Sequence, residues 1–132
     1  MRNYQQYTLL NAKATTGIDT PAQIEDFRTA VFAFSTDGGG TANLTVKFQG
    51  SISDACPDFT AAQSRTNMWD FIEVIDYQDG VAIDGDTGIT IVGADDYRQL
   101  EANVNGLKWI CARVTARAAG NVTITVRGFS GD

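Results

Sequence analysis

The sequence contains no histidine, and it has only two cysteines and two prolines. Without imidazole there is no Ser-His-Asp or Cys-His triad, no imidazole metal ligand, and no side chain that ordinarily carries protons near neutral pH. Cys56 lies in a proline-containing loop and Cys111 inside the run 107–112, where a small buried hydrophobe fits. The expectation is two free thiols in a reducing compartment. No apolar run approaches the length that spans a bilayer. The opening residues, Met1 to Gln6, are polar and unlike a signal peptide, so synthesis and folding in the cytoplasm are expected. Basic residues are also scarce. Ten are scattered among 16 acidic ones, for a net charge of −6. Phosphate neutralisation needs clustered Lys and Arg, so neither nucleic acid nor membrane is an expected partner. An acidic surface suits solubility, or docking on a basic surface.

What is present fits one domain over residues 1–132, with 43% apolar and 20% charged residues. A chain of this size buries roughly two thirds of its unfolded surface, enough to fold without disulfides or metals. Thirteen glycines point to many tight turns. The dominant signal is alternation with a period of two. In residues 42–49, Leu44, Val46 and Phe48 share one face, while Asn43, Thr45, Lys47 and Gln49 share the other. Residues 30–35 read as a hairpin partner across Asp37-Gly38-Gly39-Gly40. Further strands are expected at 69–77, 81–83, 89–92 and 99–104, then at 107–117 and 122–127. Asp79-Gly80 and Asn105-Gly106 carry hairpin-turn signals, the second joining 99–104 to 107–117. On the latter strand Ile110, Ala112, Val114 and Ala116 are expected on one face.

Residues 19–26 read either as a short helix, with Pro21 early in it, or as an extended lead into strand 30–35. Residues 51–67 have no regular period and read as one long ordered loop, with a helical turn at 61–63. Seven to nine strands result. The expected fold is all-β, a two-sheet antiparallel sandwich of jelly-roll-like type with at most a short helix.

Chemistry-bearing constellations are few. Asp84, Asp86, Asp95 and Asp96 fall close in sequence, and paired carboxylates can hydrolyse glycosides. Asp84-Gly85-Asp86-Thr87-Gly88 is also a candidate hard-cation loop, although the Glu and flanking helices of an EF-hand are missing. Asp and Gly used for turn geometry account for both patterns, and no catalytic residue and no cofactor is expected. Trp69 and Trp109, with Tyr77 and Tyr97, offer either a sugar-stacking platform or core and interface anchors. Tyr4, Tyr7, Leu9, Phe59, Trp69, Arg113 and Arg117 are the candidate interface residues, since aromatics and arginine are favoured where subunits meet.

The stretch from Gly50-Ser51 through Cys56-Pro57-Asp58-Phe59 to Trp69, then Asp84-Gly85-Asp86-Thr87-Gly88 and Asn103-Val104-Asn105-Gly106-Leu107, resembles small proteins of tailed bacteriophages. In size and texture the chain is similar to auxiliary capsid proteins, also called decoration or cement proteins. That resemblance implies a virion protein on the capsid surface, acting as a homotrimer and clamping copies of the major capsid protein after shell expansion. It also implies an N-terminal docking arm, within residues 1–20, that pairs with capsid strands. Tyr4 to Leu10 suits that edge-strand role, and equally suits an internal first strand. The competing readings are a tail or head–tail joining protein and a carbohydrate-binding sandwich.

Overall fold

A computed structural model describes residues 4–130. Its strands are β1 (Tyr4–Lys13), β2 (Ala22–Gln23), β3 (Thr29–Asp37), β4 (Asn43–Ser51), β5 (Asp70–Phe71) and β6 (Val74–Asp76). They continue with β7 (Ala82–Ile83), β8 (Ile89–Val92), β9 (Tyr97–Asn103), β10 (Trp109–Ala119) and β11 (Asn121–Phe129). The excess over seven to nine comes from β2, two residues long, and from the expected strand 69–77 dividing into β5 and β6.

The strands form two sheets, and every pairing is antiparallel. One sheet runs β1-β11-β3-β9-β6-β7 and the other β2-β10-β4-β5, with β8 also paired to β4. The expected antiparallel two-sheet sandwich is therefore the fold. Alternation decides which side of each strand is buried. On β3, Ala30, Phe32, Phe34 and Thr36 face inward; on β11, Val122, Ile124 and Val126 do. Leu44, Val46 and Phe48 of β4 meet them from the opposite sheet, and the rings of Phe32 and Phe48 sit 4.6 Å apart.

Three expectations are corrected. Residues 30–35 and 42–49 are not a hairpin, and neither are 99–104 and 107–117. β3 and β9 lie in one sheet, β4 and β10 in the other, so Gly38–Gly40 and Asn105-Gly106 carry the chain between layers. Asp79-Gly80 does close a hairpin, between β6 and β7. Ala116 is exposed rather than inward, because Val114 pairs with Val46 and Ala116 with Thr45. The extra residue, Thr115, is a bulge, and a one-residue slip turns the following side chains over. No helix forms among the described residues. Residues 22–23 instead add a short strand to β10, and 58–61 make a single turn closed from the Ala61 amide to the Asp58 carbonyl.

At the other end of the sandwich, β1 is an edge strand paired along β11. Thr8 pairs with Thr125 and Leu10 with Ile124, which leaves Leu9 as a bulge. Leu9 and Leu10 are consecutive and both fully buried, so the bulge seals the core with two side chains where one is usual.

Candidate functional site

Strict alternation breaks at two places. Residues 48–51 of β4 are all buried, and so are 110–112 of β10. Phe48, Gly50, Ile110 and Ala112 are the inward set; Gln49, Ser51 and Cys111 point the other way and are buried by something outside the sheet. That cover is the long loop 52–69. Phe59 and Trp69 fold from it onto Cys111, with Ile18, Phe71 and Trp109 packed around them, making a second, smaller apolar cluster. The Trp69 ring meets Phe71 edge-on at 5.1 Å and Phe59 at 6.4 Å.

The loop holds its shape by internal hydrogen bonds. The Asn67 side chain accepts from the Asp58 amide (2.8 Å) and donates to the carbonyls of Asp58 and Ala62. Trp69 Nε1 donates to the Ala61 carbonyl at 3.0 Å, and Gln63 Nε2 to the Trp69 carbonyl at 2.6 Å. It is tied to the sheet by buried Gln49, whose Nε2 donates to the Phe59 carbonyl at 2.9 Å, and by Ser51, whose Oγ donates to the Met68 carbonyl at 2.6 Å. Gln49 Oε1 and Trp109 Nε1 stay buried without a protein partner among the described residues. Each costs about 1–3 kcal/mol, which the apolar packing must exceed. At the loop's start Lys108 pairs with Asp54 and, at 3.7 Å, with Glu25. Lys108 holds the Asp54 carboxyl below the usual carboxylate range, and Asp54 in turn pushes the ammonium up. Asp54 is exposed and Lys108 only half-buried, so this pair orients more than it stabilises.

The folded loop creates a groove of about 420 Å³ against the sheet. Gly50, Ile52, Met68, Ile72 and Leu107 line it, with Gln63, Ser64 and Asp70 adding polar groups. Ile52 is 64% exposed and Met68 50%, a large apolar outlay for side chains that a sheltered position would bury. A Cβ on Gly50 would meet Leu107 Cδ1 at 2.8 Å and Ile72 Cγ2 at 3.0 Å, so glycine is what lets the groove close at its base.

The candidate interface residues divide sharply. Leu9, Phe59 and Trp69 are buried: Leu9 fills the core at the β1 bulge, and the other two pack loop 52–69 onto β10. Tyr7 is half-buried against the main core. Tyr4 lies in β1, and its side chain is outside the described residues. Arg113 is half-buried and points NH1 at the Phe59 carbonyl (3.5 Å). Arg117 is exposed and donates from Nε to the Gly120 carbonyl at 3.0 Å. Periodicity could not find Ile52, Met68, Ile72 and Leu107. The signal available was an isoleucine and a methionine at the two ends of a loop with no period.

The aspartates are occupied by turn geometry. Asp84 accepts from the Thr87 hydroxyl at 3.4 Å and its carbonyl accepts from the Thr87 and Gly88 amides. Asp95 accepts from the amides of Gly38 (2.8 Å) and Gly40 (2.9 Å), clamping the crossing between sheets. Asp96 pairs with Arg98 at 2.7 Å. Asp86 is exposed. Among the described residues no three His, Cys, Asp or Glu side chains gather as a metal site.

The thiols also differ. Both are free; Cys56 is exposed, whereas burial pushes the Cys111 thiol up to about 12. With excess aromatic disulfide at pH 8, one thiol per chain is expected to react promptly, and peptide mapping should place it at Cys56. Equal labelling of both would contradict the capped state of Cys111.

The site is thus a hydrogen-bonded loop packed on a sandwich, with an apolar groove beside it. No family model and no curated protein matches the chain. Solved structures do share its fold. The SPBc2 prophage-derived protein YomS is 14% identical, with 98% of this chain and 96% of that one covered and a TM-score of 0.68. The PBSX exported protein XepA is 12% identical, with a TM-score of 0.71; 98% of this chain is covered, but only 38% of XepA.

Proposed function

We propose that this chain is a phage-encoded structural protein that binds the outside of a capsid as an oligomer and stabilises the shell, working through surfaces rather than catalysis. The observation that carries the proposal is the apolar groove that Ile52 and Met68 of the hydrogen-bonded loop form with Ile72 and Leu107. Such a groove accepts an apolar side chain from a partner, the arrangement in which few residues supply most of the binding energy. The net charge of −6 favours a segment of the major capsid protein with basic residues flanking its apolar anchor. Weak single contacts gain strength when an oligomer engages several capsid subunits at once. The fold shared with two phage-derived proteins supports a phage source.

The test is co-sedimentation with expanded capsids of the encoding phage. Wild-type protein should pellet with capsids, and Ile52→Glu with Met68→Glu should weaken that at least about tenfold while circular dichroism stays unchanged, because both side chains are already exposed. Wild-type protein left in the supernatant would overturn the reading. A second reading is favoured by the description of XepA as an exported protein. Under it the protein leaves the host cell free of particles. Density-gradient banding of a fresh lysate separates the two, since a capsid component bands with particles and a released one stays at the top.

A further inference from the structure

The outer face of the six-stranded sheet carries a different kind of surface from the groove, and we infer that it binds a neutral saccharide between Tyr77 and Tyr97. β6 and β9 lie side by side there. The Tyr77 amide donates to the Gln99 carbonyl at 3.0 Å, which sets Tyr77 and Gln99 next to each other. Tyr97 precedes Gln99 by two residues and so points to the same face. Across the next pairing the large side chains give way to small ones: Gln99 pairs with Ala33 and Tyr97 with Ser35 of β3. The surface falls away on both sides of Tyr97. Two adjoining hollows result, of about 420 and 260 Å³, which share Tyr97, Arg98 and Gln99.

The chemistry around the rings is what a sugar needs. Tyr77 is 49% exposed and Tyr97 75%, so both rings present apolar area to solvent. A pyranose ring has an apolar C–H face that stacks on such rings, and a rim of hydroxyls that each both donate and accept. Matching hydroxyls calls for donors and acceptors together. Arg98 does not supply them: paired with Asp96 and Asp76, it lies on the inward side of the sheet with Phe34 and Leu100. Gln78 and Gln99, both exposed, add amides that donate and accept. On the outer face Tyr77, Tyr97, Gln99, Ala33 and Ser35 carry no formal charge. The hollow therefore lacks the excess positive charge that a phosphate or a sialic acid would require, and the ligand class is neutral.

This inference is independent of capsid docking, since the groove lies on the other sheet. The probe is an array of neutral glycans, followed by amide chemical-shift titration of the full chain with the best neutral oligosaccharide. Shifts are expected at residues 76–78, 97–99 and 33–35. Tyr97→Ala should lower affinity about tenfold or more with the fold intact, because the ring is exposed, and Gln99→Ala should lower it less. The variant Ile52→Glu should bind sugar normally. An array without neutral binders overturns the inference, as does binding that survives Tyr97→Ala, or a preference for sialylated over neutral glycans. Capture of peptides through Tyr97, with glycans ignored, would assign the hollow to a protein partner instead.

Discussion

Phe32→Ala is expected to cost about 3–5 kcal/mol and to lower the melting temperature by roughly 10–20 °C. Phe32 is 1% exposed and sits mid-strand, where β3 pairs with Leu100 of β9 on one side and with Val126 of β11 on the other. Its ring lies 4.6 Å from that of Phe48, which belongs to the central strand of the opposite sheet. The two rings bridge the layers. Neighbours on paired β-strands cannot collapse into the space without breaking register, so most of the cavity would remain. A domain of this size has about 5–15 kcal/mol in total, which leaves the variant marginal. Urea unfolding should show a lower midpoint with an unchanged slope. Val31→Ala, one residue away on the outer face, should cost less than about 1 kcal/mol. If the two variants lost equal stability, the inward assignment of Phe32 would be wrong.

That contrast between adjacent residues is the part of the fold that the sequence makes legible. Alternation assigned Leu44, Val46 and Phe48 to one face, and the last strand, 122–127, to its inward valines and isoleucine, because pleat geometry is local. Pairing is not local. Asn105-Gly106 has the residue types of a tight hairpin, yet Gly106, at φ 95°, turns the chain out of one sheet and into the other. A positive φ is needed to reverse the chain in either case, so residue type cannot tell a hairpin from a crossing between layers. Asp95 shows what does decide: its carboxylate, more than fifty residues on, fixes the amides of Gly38 and Gly40. Bulges were hidden for the same reason. Nothing in Val114-Thr115-Ala116 marks Thr115 as the extra residue; its partner strand does.

The candidate site was legible only as a place. Loop 51–67 stood out for its length and missing period, and it does carry the groove. Phe59 in that loop and Trp69 at the start of the expected strand 69–77 were candidate interface residues because aromatics are favoured where subunits meet. The core they join is the outward face of β10, exposed by Cys111, a residue whose burial on that side alternation assigns to solvent. The groove residues Ile52 and Met68 looked ordinary beside them.

Trp69→Ala should therefore act on the loop before it acts on the domain. Removing the indole takes away the ring that packs on Phe59 and Phe71 and the Nε1 bond to Ala61, at a local cost of about 3–5 kcal/mol. The sheets keep their own core, because Trp69 and its cluster lie outside it. The melting temperature should fall less than for Phe32→Ala, and the larger change should appear at Cys111. In a Cys56→Ser background, Cys111 reacts only when the loop opens, and each 1.4 kcal/mol of lost closure multiplies that opening tenfold. The same opening restores water to the thiol, whose pKa then falls from about 12 toward the ordinary 9.0 and raises the thiolate fraction at pH 8. Labelling of Cys111 should consequently speed up by about two to three orders of magnitude. Capsid binding should be lost with it, since Ile52 and Met68 line the groove only while the loop is clamped. Slow labelling in the variant would mean that Phe59 and the Asn67 hydrogen bonds close the loop without Trp69. In that case the groove is a property of the loop's own lacing, and its rigidity does not depend on the small cluster beneath it.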